Sequence, residues 1–215
     1  QCLYRAKKAV AAVNCITGIY REIITVKGEA NHAGTTHLQD RRDALCAASE
    51  LCLAIEAIMK QLKNVSVTVG RIQIKPNASN IIPGEAKFTI DMRTAYPDEK
   101  RQALEILTDK AKEIADKRGV KIIRELNLDQ SEMPMDKDVI NAVLRASEIE
   151  GQQPIQLVSM AGHDAANMER LTKTAMLFVQ SVEGYSHCPE EYTAPREIEI
   201  AAQVYLDTLL ILDKI

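Results

Sequence analysis

Residues 20 to 128 set out strand and helix signals in the order β-α-β-β-α-β, and this order constrains the fold more than any other feature of the chain. Ile24 and Val26 alternate with Thr25 and Lys27, the period of a half-exposed strand. Leu45, Ala48, Cys52, Ile55, Met59 and Leu62 then recur at three- and four-residue steps, which predicts a long amphipathic helix behind an Asp40 N-cap, ending at Asn64. Val65, Val67 and Val69 alternate, Gly70 breaks the rhythm, and Ile72 and Ile74 resume it, as a strand with one bulge does. After the Pro83-Gly84 turn, Ala86, Phe88, Ile90 and Met92 alternate with Lys87, Thr89, Asp91 and Arg93. Pro97 opens a second helix, with Asp98 and Glu99 at the positive end of its dipole. Its stripe is Leu104, Leu107, Ala111 and Ile114, Gly119 closes it, and Val120 to Leu128 is the fourth strand.

The order predicts a four-stranded antiparallel sheet with both helices on one face. The opposite face is then open and polar and carries Arg93, while loops at the ends of the sheet carry His32 and Asn80.

Beyond a linker at 131–136, containing Met133-Pro134-Met135, the pattern changes. It reads helix from Asp136 to Glu150, strand from Ile155 to Val158, a short helix opened by Gly162-His163-Asp164, and strand from Ala175 to Val179. The last strand is continuously apolar, as buried parallel strands are. A final helix from Pro195 places Ile198, Ala201, Tyr205, Leu209 and Leu212 on one side. Residues 1 to 16 are open between strand and short helix. This α-β-α-β-α run is the end of a doubly wound domain, and its two strands need others to complete a covered sheet. The chain also starts at Gln1 without methionine, and reads as part of something longer.

Composition narrows the function. The net charge of −3, with no long basic run, argues against nucleic acid and anionic membrane as partners. No stretch approaches the ~18 apolar residues of a membrane span. The five cysteines form no C-x-x-C pair and are odd in number, which suits reduced thiols in a cytoplasmic protein. His163 and His187, each beside a glycine and a carboxylate, lie on loops at the two ends of the strand 175–179. Neutral imidazoles so placed suit a metal-assisted hydrolytic site.

Five motifs in order resemble those of the binuclear-metal amidohydrolases that act on N-carbamoyl-L-amino acids and allantoate, relatives of aminoacylase and carboxypeptidase type metallopeptidases. They are Gly28-Glu29-Ala30-Asn31-His32-Ala33-Gly34-Thr35-Thr36 with Arg42-Asp43-Ala44-Leu45, then Asn80-Ile81-Ile82-Pro83-Gly84, Asp91-Met92-Arg93, Ala161-Gly162-His163-Asp164-Ala165, and Ser186-His187-Cys188-Pro189-Glu190-Glu191-Tyr192-Thr193. The resemblance implies three segments: residues 1–19 ending an upstream catalytic segment, 20–130 forming a lid that dimerises, and 131–215 closing an α/β catalytic domain.

The resemblance also implies roles. His187 is a metal ligand, and His163 with a partner-subunit His32 stabilises the tetrahedral intermediate. Asn80 and Arg93 hold the carboxylate of a small substrate, and Gly162 is a further substrate-binding residue. Two divalent ions, zinc or manganese, serve each active site of the complete protein and are not retained by this chain alone, since one ligand makes no site. The expected assembly is a homodimer through the lid. A non-catalytic dimerisation module is the alternative reading of the chain as it stands, and a peptidase or aminoacylase of the same fold is the alternative for the parent. In one respect the chain departs from the family pattern: His37 stands where proline is common, and without proline the loop carrying His32 is expected to loosen.

Overall fold

A computed structural model describes residues 2–153 and 155–214. In chain order the elements are α1 (Cys2–Ala6), β1 (Val10–Ile16), β2 (Gly18–Lys27), β3 (Asn31–His32), α2 (Ala44–Gln61), β4 (Ser66–Lys75), β5 (Ile81–Ile82), β6 (Glu85–Thr94), α3 (Pro97–Arg118), β7 (Lys121–Gln130), β8 (Met133–Pro134), α4 (Lys137–Ile149), β9 (Gln156–Ser159), α5 (Ala165–Met168), β10 (Met176–Val179) and α6 (Pro195–Leu212). The chain divides into two compact units. One is Gly18–Glu132, and the other joins the stretch up to Thr17 to that from Met133 onward. The expected outer bounds of the segments, positions 1 and 215, lie outside the described residues.

In the unit Gly18–Glu132 the sheet order is β4-β6-β2-β7, antiparallel throughout. Period-2 patterning decides its faces. Ala86, Phe88, Ile90 and Met92 of β6 and Tyr20, Ile24 and Val26 of β2 are buried with the stripes of α2 and α3 in one core. The bulge falls at Gly70, where the pairing of β4 with β6 shifts between Val69 and Arg71. The cap of α2 is Asp43 rather than Asp40: its carboxylate accepts from the amides of Leu45 and Cys46 at 2.9 and 3.0 Å. The buried stripe of α2 is Ala44, Ala47, Ala48, Leu51, Ile55 and Ile58, rotated from the expected one. That helix is apolar on several sides, so periodicity alone does not choose its inner face. Gly119 ends α3 with φ +60°, the left-handed cap a side chain disfavours.

Glu22 shares the core-facing side of β2 and is 2% exposed. Arg124 of β7 grips it through both Nε and Nη2, the latter 2.8 Å from Oε2, and the Tyr20 hydroxyl donates to the same oxygen at 2.9 Å. Burial, then the adjacent Glu22, pushes the Tyr20 phenol up to about 12. This cluster pins the edge strand β7 to β2 beside a register shift between Arg21 and Glu22.

The second unit corrects the sequence reading. Residues 10–16 form β1, which pairs β9 in parallel, β10 antiparallel and β8 antiparallel. The sheet is therefore mixed and four-stranded, with β1 at its centre and β8 arising in the expected linker. The strand expected to be buried and parallel, β10, runs antiparallel to β1 and is partly exposed. Ile155 lies outside β9, although its carbonyl accepts from the amide of Ala12 at 3.0 Å. Val10, Ala12, Val13 and Ile16 pack with Ile140, Val143 and Ala146 of α4 and Val204 of α6. On α6 the inward residues are Ile200, Ala201, Val204, Thr208 and Ile211, whereas Ile198, Tyr205 and Leu209 of the expected stripe are exposed.

Candidate substrate-binding and catalytic residues

In the unit Gly18–Glu132, β3 and β5 form a two-stranded ribbon in which His32 stands opposite Ile81. The amide of Ala33 donates to the carbonyl of Asn80 at 3.0 Å, so His32 and Asn80 are neighbours across the ribbon. The His32 ring is oriented by its own loop. Its Nδ1 accepts from the amides of Gly34 and Thr35 at 3.1 and 3.2 Å. Backbone amides can only donate, so Nδ1 carries no proton and the neutral ring holds its N–H at Nε2. The His32 carbonyl in turn accepts the Thr36 hydroxyl at 2.8 Å and the Thr36 amide at 3.2 Å. His32 and Asn80 are both exposed. The loop is closed rather than loosened, and His37 has φ −64°, the value proline would impose.

Two glycines permit the close packing at the base of this ribbon. A Cβ on Gly28 would lie 1.9 Å from the carbonyl oxygen of Arg42, and one on Gly84 2.9 Å from the amide of Ala30. Gly28 of the first motif therefore serves a close backbone approach.

Arg93 lies on the helix-free face of β6, as expected from the alternation. Asp91, two residues earlier on that face, binds it through Nε at 2.7 Å and Nη2 at 3.3 Å, and also binds Arg21 of β2 at 2.8 Å. The hydrogen bond from Arg93, with help from Arg21, holds the Asp91 carboxyl below its ordinary range. Arg93 is not beside His32 and Asn80. The ribbon joins β6 at Glu85, and at about 3.4 Å per residue Arg93 stands roughly 27 Å along the strand from there.

In the other unit, His163 is partly buried and its ring meets that of Phe178 on β10 at 5.6 Å between centroids. Its Nε2 lies 2.7 Å from Oγ of Ser159, a residue 2% exposed at the end of β9. That hydroxyl also lies 3.1 Å from the carbonyl of Ala161 and 3.2 Å from its amide, so Ser159 fixes both the ring and the turn containing Gly162. His187 is exposed and takes φ +59°, a left-handed conformation costing about 1–2 kcal/mol in a residue with a Cβ. Its amide donates to the Glu191 carboxylate at 2.7 Å, which offsets part of that cost. Sequence patterning gives no supporting role to Ser159 or Glu191, because each acts through contacts made only on folding.

Among the described residues, no group of three or more His, Cys, Asp or Glu side chains is placed to hold a metal ion. The residues present thus do not compose a metal site by themselves. Among the described residues, no helix is long and apolar enough to cross a membrane.

The fold thus consists of a βαββαβ unit and a second unit built on a mixed four-stranded sheet. Residues 16–121 belong to the M20 peptidase dimerisation domain family. Relatives that match over most of the chain include allantoate amidohydrolases and N-carbamoyl-L-amino acid amidohydrolases. The allantoate amidohydrolase of Bacillus subtilis is 34% identical over 92% of this chain and 48% of its own length. An amidase of the hydantoinase/carbamoylase family from Burkholderia multivorans superposes with a TM-score of 0.90 at 33% identity, over 97% of this chain and 51% of the other. A dinuclear metal binding M20 peptidase of Bacillus subtilis shares the fold, with a TM-score of 0.66 at 18% identity over 94% of this chain and 52% of that one. The chain spans about half the length of the curated relatives it matches.

Proposed function

We propose that the chain is the dimerisation domain and closing segment of an amidohydrolase that cleaves a carbamoyl or linear amide C–N bond in a substrate bearing a carboxylate, of the N-carbamoyl-L-amino acid or allantoate class. The observation that carries this reading is Arg93, set on the uncovered face of the sheet with its guanidinium oriented by Asp91. A planar fork so held suits bidentate capture of a carboxylate. His32 and Asn80 contribute to the same reaction from the partner subunit. Their pairing across one ribbon, about 27 Å along the strand from Arg93, favours a site assembled from two protomers. His32 offers its Nε2–H, and His163, braced by Ser159, a second ring donor to the oxygen that gains charge as the carbonyl carbon becomes tetrahedral. Gly162, exposed beside His163, lets the substrate approach the backbone.

His187 is the chain's one metal ligand, and the remaining ligands for the zinc or manganese pair come from outside the chain. Bound metal would supply Lewis-acid chemistry to the assembled site. By itself the chain acts as a dimerisation module, a reading favoured by the family match over residues 16–121.

Ammonia release from a panel of N-carbamoyl-L-amino acids and allantoate tests the first reading, using a protein that joins this chain to the half its relatives carry in addition. Release from one of them, with KM raised in Arg93→Lys, is expected. Inertness to the whole panel with turnover of an acyl amino acid or dipeptide would move the assignment to an aminoacylase or peptidase. For the chain alone, a monomer in sedimentation at low micromolar concentration would overturn the dimerisation reading.

A further inference from the structure

We infer that Arg41 is a positioning residue that sets the tautomer and aim of His32 and holds Asn80 beside it. The inference rests on the proposed role of His32 as an outward donor. The guanidinium of Arg41 is partly buried and turns back over the loop 33–36. Its Nη2 donates to the carbonyl of Ala33 at 2.6 Å, and its Nε to the carbonyl of Thr36 at 3.0 Å.

The Ala33 carbonyl belongs to the same peptide group as the Gly34 amide, and the Thr36 carbonyl lies just beyond Thr35; the amides of Gly34 and Thr35 are the two that bind Nδ1 of His32. Fixing both ends of so short a segment leaves those two N–H groups aimed at one point, and the ring nitrogen occupies it. The Ala33 residue has a second attachment, since its amide binds the Asn80 carbonyl. One arginine thus braces, through backbone carbonyls, both residues of the ribbon that the proposed reaction uses.

The alternative is that Arg41 merely stabilises a surface loop. The geometry argues otherwise on two counts. Thr36 already closes the loop through its amide and hydroxyl on the His32 carbonyl, so a purely structural closure does not require Arg41. And both bonds of the guanidinium go to backbone carbonyls of the segment that carries the Gly34 and Thr35 amides. What Arg41 adds is the alignment of the 34 and 35 peptides. Lysine, a point charge with no fork, reaches one carbonyl but does not fix both.

The test is the protonation of the His32 ring, read by long-range proton–nitrogen NMR on this chain with the ring neutral. Wild type is expected as a single Nε2–H tautomer, and finding Nδ1–H there overturns the inference before any variant is made. In Arg41→Gln a mixture of tautomers is expected, with Arg41→Lys between the two; Nε2–H alone in both variants overturns it. Amide dispersion away from the loop reports whether the variants fold, and should Arg41→Gln not fold, Arg41→Lys decides the matter by the same readout. In the complete enzyme, Arg41→Gln is expected to lower kcat about tenfold or more, and to add nothing when His32 is already alanine. Full activity in His32→Ala would remove the proposed role of His32 while leaving the tautomer result intact, so the two failures are distinguishable.

Discussion

Asp91 grips Arg93 along one strand, Oδ1 to Nε at 2.7 Å and Oδ2 to Nη2 at 3.3 Å, while Oδ2 also holds Arg21 from the neighbouring strand at 2.8 Å. A long flexible cation is thereby kept in one orientation on an open face before any ligand arrives. Preorganisation of this kind reduces the entropy lost on binding. Asp91→Asn is expected to raise KM for a carboxylate substrate roughly 3- to 10-fold with kcat little changed, and Arg93→Lys to raise it about 10- to 100-fold. Steady-state kinetics on the complete enzyme separates them, and equal, unchanged KM values in both variants remove Arg93 from substrate binding.

The same pair gives a pH dependence with a definite sign. The Asp91 pKa is lowered in the folded state, chiefly by the hydrogen bond from Arg93. Its contribution to stability is therefore present above the unfolded carboxylate value, about 3.9, and is lost as pH falls through the lower folded value. Wild type should exceed Asp91→Asn in stability at pH 7 by up to about 1 kcal/mol, since all three groups are partly exposed. Urea unfolding at pH 7 and near pH 2.5 checks this; a gap that does not narrow at the lower pH contradicts the assignment.

Arg124 meets a different situation, because its partner Glu22 is shut away from water on the core face of β2. Arg124→Ala leaves that carboxylate buried without its cation and should cost about 3–5 kcal/mol. Hydrogen exchange along β7 would show the loss as local opening of the edge strand. Replacing both partners, Glu22→Leu with Arg124→Met, should recover most of it, since no charge is then stranded.

Gly28 admits no side chain where it stands, as even a methyl group would sit 1.9 Å from the Arg42 carbonyl oxygen. Gly28→Ala must push the segment entering α2 away from the ribbon, at a cost of about 1–3 kcal/mol. A thermal midpoint unchanged within about 1 °C would show that the approach is looser than described.

Local pattern carried a large part of this structure. Alternation in Ala86, Phe88, Ile90 and Met92 placed Arg93 on the uncovered face, and the break at Gly70 marked a true bulge. Residues 10–16 were less legible, since Val10 to Val13 are apolar without alternation and fit a strand covered on both sides as well as a helix turn. The face of α6 was misread for a related reason: Leu206, Leu209 and Leu210 make several sides equally apolar. A hydrophobic stripe identifies an inner face only when the other faces are polar.

Local pattern was enough for the β-α-β-β-α-β order, the antiparallel sheet, the polar face and the family motifs, because side-chain period and turn residues act over a few neighbours. Tertiary structure alone decided which strands flank β1, which side of α6 packs inward, how Asp91 aims Arg93, and how Arg41 braces the loop around His32. Those outcomes depend on hydrogen bonds and contacts between groups brought together by folding, and a one-dimensional pattern holds no record of their direction or distance.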